Sequence, residues 1–182
     1  MDVLTAVDVV VGYRTYLDLI QPLIDGKPTI STGMTREVQR VEAAIDQAQK
    51  ANSCAIVSGG DPGIYAMAGL VFEICRQKNI AVTAPENASK NLYAEPALLV
   101  EVVPGVPALC AGASLLGAPL THDFAAVSLS DLLTPWPLIE QRLEAAAKAD
   151  FVVVLYNPKS KKRTWQLESA QKILLKYRNH ST

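Results

Sequence analysis

Ser53-Cys54-Ala55-Ile56-Val57-Ser58-Gly59-Gly60-Asp61-Pro62-Gly63 is the stretch on which the fold turns. The apolar run 53–57 reads as a buried strand, 58–63 as a Gly-rich loop, and the segment 64–78 behind it as a helix. Strand, loop and helix in that order are the repeating unit of a mainly parallel α/β sheet. Upstream, Val38, Val41, Ala44, Ile45 and Ala48 recur at three- and four-residue spacing, so 36–50 is a helix with one apolar face toward the sheet. Before it come a brief strand over 28–31, a short helix over 13–20 stopped by Pro22, and a first strand over 7–12 ending at Gly12. Downstream, 80–84 reads as a strand. The segment 85–96, rich in Asn, Glu, Ala and Pro, reads as an exposed connection, and the whole reach from Ala84 to Leu98 looks like an insertion.

A strand over 99–103 then runs into Pro104-Gly105-Val106-Pro107. Residues 108–116 form a helix of small residues, expected to pack closely on its neighbour and to end at Gly117. The chain changes character at Ala118-Pro119. After that come a strand over 124–129, a helix over 137–148, the most convincing central strand over 150–156, and a last helix over 164–177. The expected organisation is an N-terminal α/β subdomain over 1–117 and a C-terminal one over 118–182. No internal repeat or low-complexity tract interrupts them.

Composition narrows the function classes. The 182 residues are 49% hydrophobic and 19% charged, which is a globular rather than a disordered composition. Seventeen basic against eighteen acidic residues leave a formal charge of -1, so the chain carries no electrostatic footprint for nucleic acid or an anionic membrane. Its apolar runs, such as 151–156, fall far short of the roughly 20 residues of a membrane-spanning helix. The start Met1-Asp2-Val3-Leu4-Thr5 has no basic leader, and a cytoplasmic protein is expected. Cys54, Cys75 and Cys110 are widely spaced among apolar neighbours, which fits buried reduced thiols. His122 and His180 stand in no metal-ligand spacing, so no metal site is expected.

Open α/β sheets bind ligands beyond the C-terminal ends of their strands, and three loops qualify. In the first, Gly59, Gly60 and Gly63 remove side chains where a ligand must approach the backbone, and Asp61 can accept hydrogen bonds from hydroxyls or an ammonium group. An ordinary strand-to-helix turn fits the same residues. In the second, 103–108, a flat ligand can rest on small residues, and a plain Pro-Gly turn fits equally well. The third, Tyr156-Asn157-Pro158, precedes Lys159, Lys161, Lys162 and Arg163, a run whose simplest reading is a solvated surface.

The combination says more than its parts. Ser58-Gly59-Gly60-Asp61-Pro62-Gly63-Ile64-Tyr65-Ala66-Met67-Ala68, then Val102-Val103-Pro104-Gly105-Val106-Pro107-Ala108, then Tyr156-Asn157-Pro158-Lys159-Ser160 resembles the tetrapyrrole (corrin and porphyrin) methylase family in order and spacing. Asp8 to Tyr16, together with Gly117 to Phe124 and Ser128 to Trp136, is similar to the branch that methylates C17 of precorrin-3B. The resemblance runs over nearly the whole chain. It implies an S-adenosylmethionine-binding cleft between two α/β subdomains, S-adenosylhomocysteine as product, a tetrapyrrole substrate and a homodimer. Carried over by motif, Gly59, Gly60, Asp61, Ile64, Pro107, Ala108 and Asn157 are the donor contacts.

The implied reaction is methyl transfer to C17 of precorrin-3B, or of its cobalt-bearing counterpart cobalt-factor III, with ring contraction, in cobalamin biosynthesis. Positioning of the carbon nucleophile should dominate the catalysis. His122 and Asp123, in a loop after a glycine turn, can handle protons, and a surface His beside a capping Asp fits them too. Arg14 and the 159–163 cations can meet substrate carboxylates or simply face solvent. Against the family pattern, an opening strand with a Gly-Pro-Gly loop and more of the second subdomain are expected outside 1–182, so the fold is expected to be truncated at both ends. Two alternatives stay open: a methylase of another tetrapyrrole, and a non-catalytic fragment that folds and dimerises without binding the donor. A dinucleotide oxidoreductase would need G-x-G-x-x-G after the first strand, where Gly12-Tyr13-Arg14 stands.

Overall fold

The computed structural model describes residues 2–50, 52–84 and 97–181. The chain divides into two compact units, Met1–Pro107 and Ala108–Thr182. Both are α/β, and every strand pair in them is parallel.

In the first unit, β1 (Val9–Tyr13) is the middle strand of a three-stranded sheet, flanked by β2 (Thr29–Thr32) and β3 (Cys54–Val57). Its position follows from its composition. A run of valines is apolar on both faces, and only a strand covered on both sides can bury it. Val10 packs with Val7, Leu17 and Ile24 on the side of α2 (Arg14–Leu19). Val9 and Val11 pack with Ala44 of α3 (Glu37–Gln49) on the other. Each valine so buried stabilises the fold by about 1.5–3 kcal/mol. A third cluster joins Val41 and Ile45 of α3 to Ile74 and Cys75 of α4 (Ala68–Gln77). Strands β4 (Val82–Thr83) and β5 (Leu98–Leu99) form a separate two-stranded ladder.

In the second unit, α5 (Ala108–Leu115) and a short 3-10 turn over Pro119–Thr121 lead to β6 (Phe124–Ser128). Next come α6 (Trp136–Lys148), β7 (Val152–Tyr156) and α7 (Gln166–Leu174). The core joins Val127 and Leu129 to Ile139 and Leu143 of α6 and Ala170 and Ile173 of α7. Helices α4 and α6 end the same way. Asn79 and Asp150 take positive φ of 54° and 65°. Ile80 and Phe151 then donate their N–H groups to the carbonyls of Cys75 and Ala146, closing Schellman caps.

Several expectations are corrected. Residues 2–6 form a helix, α1 (Asp2–Ala6), before the first strand. Helix α4 starts at Ala68 rather than at Ile64, because Tyr65 takes φ 50° and breaks the helical path. Strand β5 is two residues long, and 100–107 has no regular structure where a strand over 99–103 was expected. The expected exposed connection over 85–96 lies outside the described residues. Helix α5 buries none of its residues, so the close packing read from its small side chains is not found, and Leu115 and Leu116 are 86% and 78% exposed. Among the described residues, strand β7 is half-buried and pairs only with β6, in a two-stranded sheet, and the buried central strand is β1. The second unit begins with helix α5, at Ala108.

The cysteines separate by environment. Cys75 is buried, Cys54 half-buried and Cys110 exposed, so only part of the buried-thiol reading holds. Burial pushes the Cys54 thiol up to about 11, and it raises Cys75 as well. The thiolate is the nucleophile, so at pH 8 an aromatic disulfide reagent is expected to titrate one thiol quickly in the folded protein. Cys110→Ser should abolish that fast phase, whereas a fast phase that survives it would assign reactivity to the wrong thiol. The folded-state pKa of Cys54 lies above its ordinary value of 9.0, so its contribution to stability is full below pH 9.0 and is lost as pH rises toward about 11. Among the described residues no helix is long and apolar enough to cross a membrane, and no group of three or more His, Cys, Asp or Glu is placed to hold a metal ion.

Candidate functional site

The ligand-side edge of the first unit is built around one carboxylate. Asp61 Oδ1 accepts the N–H of Gly63 at 2.8 Å, an Asx turn that shapes the loop after β3. Its Oδ2 accepts the N–H of Gly105 at 3.0 Å, which ties that loop to 104–107. The Asp61 carbonyl accepts the N–H of Ile64 at 3.2 Å. Gly59, Gly60, Asp61, Ile64 and Pro107 are thereby brought to one place. Each carboxylate oxygen has two lone pairs, so the clamp leaves Asp61 with acceptor capacity.

The glycines are required by how close the two backbones come. Gly60 has φ 76°, a conformation that strains any side chain. A Cβ added at Gly105 would fall on the carbonyl oxygen of Gly60, and one added at Gly59 would stand 3.1 Å from the Tyr16 ring. Tyr16 in turn meets Tyr13 edge to face at 5.5 Å. Behind Tyr13 lies the guanidinium of Arg40, buried and 5.9 Å from the ring centroid. Arg40 donates to Thr32 Oγ1 at 2.8 Å and to the Gly33 carbonyl at 3.1 Å, so a cation underpins the ends of β1 and β2.

In the second unit the corresponding edge is held by a polar network. Asn157 follows β7 with φ 51°. Its Nδ2 donates to Ser128 Oγ at the end of β6, at 2.9 Å. The Asn157 carbonyl accepts Arg163 Nη1 at 3.0 Å, while Nη2 of the same guanidinium donates to Ser130 Oγ at 2.8 Å. Asp131 Oδ2 accepts Nε2 of the buried Gln166 at 2.9 Å. The Tyr156 hydroxyl accepts the N–H of Leu109 at 3.1 Å, which sets Ala108, at the start of α5, beside the end of β7. Ala108 and Asn157 are therefore brought together.

His122 and Asp123 are placed elsewhere. Both are exposed, and they immediately precede β6, where the Asp123 carbonyl accepts the N–H of Val152. Because β6 and β7 are parallel, this pair lies at the opposite edge of the sheet from Ser128 and Asn157. Five strand residues at ~3.3 Å each put about 16 Å between them. An apolar depression of about 490 Å³ elsewhere in this unit, lined by Ala125, Val127, Arg142, Ala146 and Phe151 among others, contains none of the expected site residues.

Sequence reasoning missed Arg40, Arg163, Ser130 and Gln166. Arg163 stands at the end of a basic run read as solvated, yet it is 8% exposed. The one signal for it was the Ser128-Leu129-Ser130-Asp131 spacing, which puts two hydroxyls and a carboxylate at one strand end.

The family described as Tetrapyrrole (Corrin/Porphyrin) Methylases matches residues 1–182. A cobalt-factor III methyltransferase of Priestia megaterium is 50% identical over 175 residues, covering 96% of this chain and 30% of that protein. A probable cobalt-factor III C(17)-methyltransferase of Salmonella typhimurium is 45% identical, covering 96% of this chain and 66% of that one. The chain thus spans from under a third to about two thirds of these relatives. The crystal structure of the methyltransferase CobJ superposes with TM-score 0.79 at 35% identity, over 98% of this chain and 68% of that one. A cobalt precorrin-4 methyltransferase, at TM-score 0.66 and 19% identity, shares the fold.

Proposed function

The chain belongs to the tetrapyrrole (corrin/porphyrin) methylase family, and on that premise we propose that it serves S-adenosylmethionine-dependent methylation of C17 of cobalt-factor III, or of metal-free precorrin-3B, with ring contraction, in cobalamin biosynthesis. The names carried by the Priestia and Salmonella relatives favour the cobalt-bearing substrate. The observation that carries the reading is the Asp61 clamp, which holds two side-chain-free backbones together at the ligand-side edge of a parallel sheet. A Cβ at Gly59 would press on the Tyr16 ring and one at Gly105 would fall on the Gly60 carbonyl oxygen, so the glycines are what let the two loops meet at this edge.

Gly59, Gly60, Asp61, Ile64 and Pro107 would hold the donor in the first unit, with Ala108 and Asn157 as its contacts in the second. When bound, S-adenosylmethionine supplies an electrophilic methyl group. The protein's part is to present the nucleophilic carbon in line with it and to exclude water. His122 and Asp123 would move protons on the substrate, at the end of β6 away from Asn157. A homodimer is part of the proposal, supported by the exposed Leu115 at the end of α5 and Leu116 just after it.

Titration calorimetry with S-adenosylhomocysteine tests the donor site. Micromolar binding, roughly -8 kcal/mol, is expected. Asn157→Ala, which removes the bond to Ser128 Oγ, should weaken it about tenfold. His122→Ala should change the affinity by less than about twofold, as surface substitutions remote from a site do, while lowering turnover about a hundredfold if it is the proton carrier. Loss of donor binding in His122→Ala would contradict its separation from Asn157. A well-folded chain that binds no donor would instead be a non-catalytic part of a methylase. Turnover of uroporphyrinogen or precorrin-4 in preference to cobalt-factor III would move the substrate assignment.

A further inference from the structure

We propose that Arg163 is the positioning residue for the donor contact at Asn157, acting as a fork that locks together the loops leaving β6 and β7. The inference rests on the reading of Asn157 as a donor contact. Arg163 is 8% exposed, and taking a guanidinium out of water costs several kcal/mol unless the lost hydration is replaced. The replacement is incomplete. Nε has no hydrogen-bond partner and stands 3.9 Å from Asp131 Oδ1, a separation longer than a hydrogen bond. A buried cation held this way is a poor source of stability. What it does supply is geometry: Nη1 grips the Asn157 carbonyl and Nη2 grips Ser130 Oγ, one residue group from each strand end.

The grip fixes a backbone that has other options. Asn157 sits at φ 51°, a region that asparagine tolerates but does not require. With its carbonyl held by Arg163 and its Nδ2 held by Ser128 Oγ, the residue cannot relax to the extended region without breaking both bonds. The turn leading to Arg163 is folded to deliver the guanidinium. Ser160 Oγ accepts the N–H groups of Lys162 and Arg163 at 3.3 and 3.0 Å, and Ser160 donates its own N–H to the Arg163 carbonyl at 3.1 Å. The exposed lysines 159, 161 and 162 thus ride on a turn whose buried member faces the other way. Lysine at 163 keeps the charge but cannot bridge two acceptors with a planar fork.

The test is a double-mutant cycle on this chain, read as the dissociation constant for S-adenosylhomocysteine. Arg163→Lys alone is expected to weaken binding about tenfold, and Ser130→Ala, which frees one arm of the fork with little risk to folding, about threefold. Asn157→Ala keeps the carbonyl that Nη1 grips but removes the side chain that the grip positions for the donor, so in that background both losses should shrink to less than about twofold. A residue that merely stabilised the unit would weaken binding by the same factor in either background. Additive losses with wild-type chain binding normally overturn the role of Arg163 and leave the donor site standing. Absence of binding by the folded wild-type chain overturns the donor reading, and this inference falls with it.

Discussion

Replacing Gly105 with alanine is expected to abolish measurable donor binding and to destabilise the first unit by about 2–4 kcal/mol. Two costs combine. The new Cβ falls on the Gly60 carbonyl oxygen, and it would also lie 3.1 Å from the Gly60 carbonyl carbon and 3.4 Å from Asp61 Cα, all of them backbone atoms that no rotamer change can move aside. The loops must part, which pulls the Gly105 N–H away from Asp61 Oδ2 and breaks the bond that joins them. Overpacking alone typically costs about 1–3 kcal/mol, and a lost bond to a charged acceptor adds about 1.5–3 in a buried setting and less here, where the loop is exposed. Urea unfolding of Gly105→Ala beside Gly60→Ala separates collision from strain. The second change adds only the left-handed penalty at φ 76°, about 1–2 kcal/mol. A Gly105→Ala protein as stable as the parent and with undiminished donor affinity would show that the two loops do not need their close approach.

How much of this was readable beforehand depended on how local each cause was. The valine run of β1, the three- and four-residue spacing of α3 and the glycines after β3 are local patterns, and they gave the parallel sheet and the first donor loop. The start of α4 was misplaced because nothing in Ile64-Tyr65-Ala66-Met67 advertises the positive φ of Tyr65. The 3.6-residue pattern simply continues backward through it. Helix α5 was misjudged for a different reason. Small residues permit close packing, but whether a neighbour arrives is decided by distant chain, and its residues are left unburied. Arg163 was the largest miss. Its partners Ser130 and Asp131 lie 33 and 32 positions away, and a basic run looks the same whether its last member is solvated or turned inward. His122 and Asp123 were picked out by residue type, which carries no information about the end of the strand they occupy. Only the parallel pairing of β6 with β7 separates them from Asn157.

Asp61→Ala is expected to weaken S-adenosylhomocysteine binding by about 10- to 100-fold, with a smaller loss of stability of about 1–2 kcal/mol, because water can reach the freed N–H groups of Gly63 and Gly105. Asp61→Asn is the sharper probe. The amide keeps one acceptor and turns the other position into a donor that faces a backbone N–H, so one of the two clamp bonds is replaced by a repulsive contact. If Asp61 served the donor only through a direct hydrogen bond, the asparagine would retain much of the affinity. If its main work is to join the loops, the asparagine should lose nearly as much as the alanine. Combining the change with Gly105→Ala decides the matter. Both substitutions break the Asp61–Gly105 link, so the clamp requires their stability losses to sum to less than the two measured singly, by about the worth of one charge-assisted hydrogen bond. Strict additivity would mean that the two residues act independently, and the carboxylate would then have to be assigned to the ligand alone.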